Sequence, residues 1–349
     1  MTSDAHGSAG RTPRRAYDAL VLVSFGGPEG PDEVMPFLRR VTAGRDVPDE
    51  RLAEVARHYD RLGGVSPLNE QNRQLRDAIR ALVDLPVYWG NRNAAPYLPD
   101  VVHQMSSDGV RRALAFVTSA YGSYSGCRQY LENLADARAQ VGAAAPAIEK
   151  LRAFYNHPLF VEAFASSVRD ALGRLPAELA GGARLVFTAH SIPLAAAARA
   201  PYEPQLRQTA RLVAEAVGSE PPSDLCWQSR SGPPQVPWLE PDVEVALTRL
   251  ADEGVGAAVV VPIGFVSDHL EVVHDLDVVA IPAARDRGLI VVRAATPGVR
   301  LAPLVAALVD ERQRHSADIG CPARAFAGGR GPSHDGCPAL CCLPSKTID

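Results

Sequence analysis

Along the chain, short apolar runs alternate with segments whose apolar residues recur at helical spacing. In the first half the runs are residues 19–25 (ALVLVSF), 85–91 (LPVYWGN) and 113–121 (ALAFVTSAY). In the second they are 184–193 (RLVFTAHSIP), 224–229 (DLCWQS), 257–265 (AAVVVPIGF) and 289–296 (LIVVRAAT). Between them the amphipathic segments 48–62, 70–82, 158–175 and 200–217 predict helices. Buried strands separated by amphipathic helices are the pattern of βα units on a parallel sheet. Two similar α/β halves joined near residues 148–160 fit the length of 349 residues, 46 % of them hydrophobic, with a core expected for each half.

The two ends depart from this pattern. The polar stretch MTSDAHGSAGRTPRRAY lacks the apolar centre of a signal peptide, and residues 1–16 read as a disordered leader. From about residue 318 glycine, proline and cysteine dominate, so the tail cannot fold on apolar burial alone. The expected organisation is a leader (1–16), an N-terminal unit (17–155), a C-terminal unit (156–316) and a cysteine-rich extension (317–349). The longest apolar stretch, residues 255–266, is too short to span a bilayer. With 36 basic and 40 acidic residues, bulk charge predicts neither nucleic-acid nor anionic-membrane binding. A cytoplasmic enzyme is the expectation.

In open α/β sheets ligands sit beyond the carboxyl ends of the strands. The residues found there are GGPEG, GNRN, YGSYSG, HSIP, QSRSG and VSDHLE, a polar and glycine-rich rim. His190 ends one run, where an imidazole can serve as base or metal ligand near pH 7. After another run, SDHLEVVHDLD opens a helix with Ser267 or Asp268 as expected N-cap. Asp268, Glu271 and Asp275 fall at i, i+3 and i+7, which puts three carboxylates on one helical face. A solvated acidic face is the bland reading. Mutual repulsion, relieved only by a cation or protons, favours transient handling of a divalent metal. SFGGPEG lacks the dinucleotide spacing, and Pro28 removes a backbone donor where a phosphate needs one.

Six cysteines without a signal peptide do not make a disulfide scaffold. Cys337, Cys341 and Cys342 form a local thiol cluster, and a fourth ligand for a [2Fe–2S] cluster or a zinc ion must come from Cys321 or elsewhere. Cys226, inside an apolar run, reads as core.

Together LVSFGGPEG, GGVSPLNEQNRQL, YWGNRN, FTAHSIP, WQSRSGPPQVPWLEP and PIGFVSDHLEVVHDLD resemble the ferrochelatase family, from about residue 18 to 309. More narrowly, the chain is similar to actinobacterial, iron–sulfur-containing coproporphyrin III ferrochelatases. The resemblance implies the class II chelatase fold: two Rossmann-like domains with parallel sheets facing across a cleft. It implies insertion of Fe²⁺ into coproporphyrin III, with His190 as the active-site histidine and Glu271 facing it across the porphyrin. Asp275 continues the acidic row on a locally widened helix, and Val279 stands where some relatives extend that row. Arg45, Ser66, Ser123 and Tyr124 match substrate-contacting positions. Phe25 replaces an iron-ligating tyrosine, and His58 an arginine, of some relatives. Cys127, Cys337, Cys341 and Cys342 match the ligands of a [2Fe–2S] cluster, with Cys321 as rival fourth ligand.

The strongly charged segment 39–64 favours coproporphyrin III over protoporphyrin IX and a soluble enzyme. A transient contact with the enzyme that next processes coprohaem is also expected. The competing readings are protoporphyrin IX as substrate, a cobalt or nickel chelatase, and an iron–sulfur redox sensor on an inactive scaffold.

Overall fold

The computed structural model describes residues 16–45, 47–218, 224–316, 323–338 and 341–344. The expected leader, apart from Ala16, lies outside the described residues, as does Cys321.

Eight strands form two four-stranded sheets. The first contains β1 (Ala19–Ser24), β2 (Val87–Asn91), β3 (Arg112–Val117) and β4 (Ala147–Lys150), in the order β2-β1-β3-β4. The second contains β5 (Arg184–His190), β6 (Asp224–Gln228), β7 (Ala257–Val261) and β8 (Ile290–Arg293), in the order β6-β5-β7-β8. Every pairing is parallel, so one topology occurs twice. Seven strands are the seven apolar runs. The eighth, β4 (AIEK), lies inside the segment read from sequence as the joint between halves. As a four-residue edge strand with every side chain at least partly exposed, it carries no apolar signal.

The predicted helices are found at Asp49–Asp60 (α2), Leu68–Arg80 (α3), Pro158–Leu172 and Tyr202–Val217, and Pro31–Val41 (α1) precedes them. Pro158 begins its helix where the missing N–H costs nothing, and Nδ1 of His157 accepts the amide of Leu159. Gly218, at φ 76°, closes the helix Tyr202–Val217 in the left-handed region.

Each half has an apolar cluster of its own, around Val21 and Leu134 in the first and Val260 and Leu276 in the second, and a larger one spans both. The larger cluster runs from Leu20, Leu22 and Phe116 through Phe154, Phe160 and Phe164 to Phe187, Val259 and Val261. Stacked Phe116 and Phe154 (5.0 Å) and edge-on Phe160 (5.2 Å from Phe154) join the two sheets. The helix Ala302–Ser316, late in the chain, packs on both α3 and Pro158–Leu172. It supplies Glu311 to the fully buried Arg152 through two hydrogen bonds of 2.7 and 3.0 Å.

The carboxyl ends of the sheets face one another: Tyr121, beyond β3, donates its hydroxyl to the Ile263 carbonyl beyond β7 at 2.9 Å. Helices α1 and α2 pack Val34, Phe37, Leu38, Leu52 and Tyr59 against Leu270 of the second half. The strongly charged segment is amphipathic, as the spacing over 48–62 predicts, and its apolar side is turned inward. No helix among the described residues is long and apolar enough to cross a membrane.

Candidate active site

In the second sheet the chain leaves β5 toward β6 on one side and returns to place β7 on the other. That reversal opens a crevice between the carboxyl ends of β5 and β7, the usual ligand position in such sheets. His190 is the last residue of β5. The turn after β7 comes so close that a Cβ on Gly264 would lie 2.6 Å from the Ala189 Cβ and 2.8 Å from its Cα. Glycine is required there to bring the two strand ends together.

The histidine is oriented from behind. Nδ1 of His190 lies 2.5 Å from the Ser191 carbonyl oxygen, which can only accept, so Nδ1 carries a proton and Nε2 is the ring nitrogen turned to the crevice. Tyr202 donates its hydroxyl to the His190 carbonyl at 3.0 Å, and the Ser191 amide donates to the Gln228 carbonyl at 2.8 Å. Nε2 faces Oε2 of Glu271 at 3.7 Å.

Glu271 sits in the short helix Leu270–Val272, which widens at once into a π-helix, Val273–Ala280. The N-cap is His269, not Ser267 or Asp268: its Nδ1 accepts the Glu271 amide at 3.2 Å. From β6, the buried Gln228 donates to the Glu271 carbonyl at 3.3 Å and accepts from the Thr188 hydroxyl at 2.9 Å. Three neighbouring strands thus fix the pair. Burial pushes the His269 imidazole below its ordinary range, against the pull of Glu271, and keeps it neutral.

The expected row of three carboxylates is shorter in the fold. Asp268 precedes the helix, and its carboxylate accepts Arg293 Nη1 and the Thr296 hydroxyl, each at 3.0 Å. Arg293 also holds Asp277, so one guanidinium ties both acids away from the row. Sequence spacing could not reveal an arginine from β8 between them. Glu271 and Asp275 remain. Asp275 accepts the Ser229 hydroxyl at 2.5 Å and lies 3.2 Å from Nδ1 of His274. The His274 ring stacks on His58 of α2 at 3.8 Å, linking the helix that covers the cleft to the acidic helix.

The four residues matched to substrate contacts have different surroundings. Arg45 is exposed after α1 and makes no side-chain hydrogen bond or ion pair among the described residues. Ser66 is buried under Gly27, its hydroxyl 3.4 Å from the Leu68 amide. The Ser123 hydroxyl accepts the Gly126 amide at 2.9 Å, and Tyr124 donates to Glu132 at 3.0 Å. Sequence reasoning passed over Arg92, at the end of β2. Its guanidinium lies over Tyr130 at 4.7 Å and Phe25 at 5.6 Å, its buried Nε has no partner, and it forms no ion pair among the described residues. The signal was present in GNRN, an arginine on the rim with no acid nearby in sequence.

The cysteine extension returns to the first half. Cys127 lies buried in a π-helical turn, Tyr124–Arg128, and its thiol donates to Cys337. Cys341 and Cys342 have their sulfurs 3.6 Å apart, and Arg128 donates to the Cys341 carbonyl at 3.2 Å. All these thiols are free. The Cys127 thiol, with help from Lys150, holds Cys337 below the ordinary thiol range against the opposing effects of burial and Cys341. Burial and Cys341 push Cys342 up to about 12. Cys226 is wholly buried in β6, away from this group.

A surface hollow of about 520 Å³ lined by Arg76, Arg80, Tyr88 and Trp89 shares no residue with the His190–Glu271 pair, so chemistry rather than volume identifies the site. Comparison with known proteins agrees. The family described as Ferrochelatase matches residues 17–314. A "Coproporphyrin III ferrochelatase" of Nocardia farcinica is 52% identical over 347 residues, covering 95% of this chain and 98% of the relative. One of Mycolicibacterium smegmatis is 55% identical over 306 residues, covering 85% and 90%. The solved structure of SirB from Bacillus subtilis with Fe³⁺ has a TM-score of 0.52 at 10% identity, covering 86% of this chain and 96% of that one, which speaks for the two-sheet chelatase fold. On the match across both halves and the identity to these relatives, the chain is a member of the ferrochelatase family.

Proposed function

We propose that this enzyme inserts Fe²⁺ into coproporphyrin III, with His190 and Glu271 acting on the two faces of the macrocycle. The observation that carries this reading is Nε2 of His190 aimed at the Glu271 carboxylate between the ends of β5 and β7. Insertion replaces two pyrrole N–H bonds with bonds from nitrogen to iron, so two protons leave as Fe²⁺ enters and sheds water. In its neutral form His190 can take one of them at Nε2, and the other passes to solvent. The oxygens of Glu271 and Asp275 suit a hydrated divalent cation and lead it to the opposite face. The choice of coproporphyrin III is supported by the relatives that bear its name. Arg45 and Arg92 are the cations we assign to the substrate carboxylates, with Ser66, Ser123 and Tyr124 beside them.

Cys127, Cys337, Cys341 and Cys342 form two touching thiol pairs, a donor set that fits a [2Fe–2S] cluster. A bound cluster would supply a one-electron redox centre and a cross-link from the tail to the turn Tyr124–Arg128. We place the enzyme in the cytoplasm, passing its product in a transient contact to the enzyme that consumes it.

The test is the initial rate of Fe²⁺ insertion under anaerobic conditions with coproporphyrin III and with protoporphyrin IX. A several-fold higher kcat/KM on coproporphyrin III is expected. Equal values, or a preference for protoporphyrin IX, would overturn the substrate assignment while leaving the chemistry standing.

A further inference from the structure

The tail and Cys127 together present five soft or borderline donors where four thiolates suffice for a cluster. The fifth is His334. Its ring nitrogen and the sulfurs of Cys337 and Cys341 all lie within 4.8 Å of one another. A tetrahedral zinc ion, with Zn–S of about 2.3 Å and Zn–N of about 2.0–2.1 Å, holds such atoms ~3.5–3.8 Å apart. The three groups therefore need to draw in by no more than about 1 Å to share one ion.

The segment that carries them is fixed without a metal. Asp335, next to His334, pairs with both Arg324 and Arg312, and Arg324 also donates to the Ser333 carbonyl at 3.2 Å. Cys127 lies outside the trio but close enough to Cys337 for the two thiols to interact, which makes it the fourth ligand we assign. Cys342 touches Cys341 but lies outside the trio.

We propose that His334, Cys337 and Cys341, with Cys127 as fourth ligand, form a mononuclear site for a soft divalent cation of the Zn²⁺ class, taken up when the tail carries no iron–sulfur cluster. The two metallated forms share three thiols and differ in one donor: His334 completes the mononuclear site, and Cys342 completes the cluster. Each coordinating thiol releases a proton to solvent on binding, so affinity rises with pH. His334 is exposed, so an ion can enter from solvent. Either metal would tie the tail to the first half.

The experiment uses the full-length protein, stripped of cluster and reduced, titrated anaerobically with Co²⁺ as a spectroscopic substitute. The His190–Glu271 site has no sulfur, so a thiolate-to-cobalt charge-transfer band reports the tail alone. One equivalent of Co²⁺ giving that band and tetrahedral d–d bands, both removed by Zn²⁺, is expected. His334→Ala should weaken binding at least ~10-fold, and Cys342→Ser should change it less than about threefold. No charge-transfer band, an unaffected His334→Ala, or Cys342→Ser as damaging as His334→Ala would overturn the proposal.

The proposal shares Cys127, Cys337 and Cys341 with the cluster reading, and reconstitution with iron and sulfide separates the two. There Cys342→Ser should lose the cluster bands and His334→Ala keep them. Failure of that pattern counts against the four-cysteine cluster and leaves the cobalt result intact.

Discussion

Oε2 of Glu271 stands 3.7 Å from Nε2 of His190. A planar macrocycle needs van der Waals clearance of about 3.5 Å on each face, so ~7 Å must open between these groups for a tetrapyrrole to lie there. The glutamate is the group free to move: its side chain is 46% exposed, whereas the His190 backbone is pinned by Tyr202 and Gln228. Substrate entry and the parting of this pair are therefore one event.

This separation predicts a divided effect for Glu271→Ala. Removing the side chain clears the slot, so coproporphyrin III should bind as tightly as to the parent or more tightly. Iron insertion should fall by about 10²–10⁴-fold, the range for loss of a positioned acid–base group. Porphyrin fluorescence quenching and single-turnover insertion measure the two effects. Weaker binding with an unchanged rate would place Glu271 outside the slot.

Gly264→Ala tests how the strand ends are brought together. A methyl group 2.6 Å from the Ala189 Cβ must displace β5 at the residue before His190. Overpacking of this kind costs roughly 1–3 kcal/mol. Urea unfolding should show that loss, and kcat should fall while porphyrin affinity changes little. Parent-like stability would mean that the turn relaxes freely.

Arg92→Ala removes a half-buried cation with no acidic partner among the described residues. Little stability should be lost, because no carboxylate is left stranded. KM for coproporphyrin III should rise about tenfold, on the scale of 1.4 kcal/mol per decade, with kcat nearly unchanged. An unchanged KM would remove Arg92 from the substrate site.

Acid should weaken the fold through His157. Burial, followed by the charge of Arg152, pushes its pKa down from 6.5 to about 4. Above pH 6.5 the residue is neutral in both states and contributes no pH dependence. Between pH 6.5 and 4 the unfolded chain binds a proton that the fold does not, and stability falls by ~3 kcal/mol across that window. His157→Asn keeps a side-chain acceptor for the Leu159 amide but cannot titrate. Its stability, whatever its value at pH 7, should decline less steeply over the same window in urea melts. An identical slope would assign the acid sensitivity to other groups.

The fold was legible where burial is continuous. Strands β1, β3, β5 and β7 have helices on both faces and read as apolar runs, whereas β4 is short, polar and at an edge. His190 and Glu271 stood near strand ends, beyond which a ligand site lies whatever the detailed packing, and the family resemblance rather than their spacing paired them. The surroundings were not legible. Helical spacing placed Asp268 with Glu271, but Arg293, 25 residues later, takes that carboxylate. Helical spacing also assumes 3.6 residues per turn, and the π-helix Val273–Ala280 breaks that count beyond Val272. Arg92 was legible only in part: GNRN shows a rim arginine with no acid near it in sequence, but lack of an ion-pair partner among the described residues is a property of the folded chain.

The central claim is that metal insertion runs through His190. Its direct measurement is the anaerobic insertion of Fe²⁺ into coproporphyrin III, followed by absorbance, for the parent enzyme and for His190→Ala at matched porphyrin saturation. The account predicts product formation by the parent and a rate at least ~10²-fold lower for the variant. A His190→Ala enzyme that metallates the porphyrin at the parent rate would contradict it.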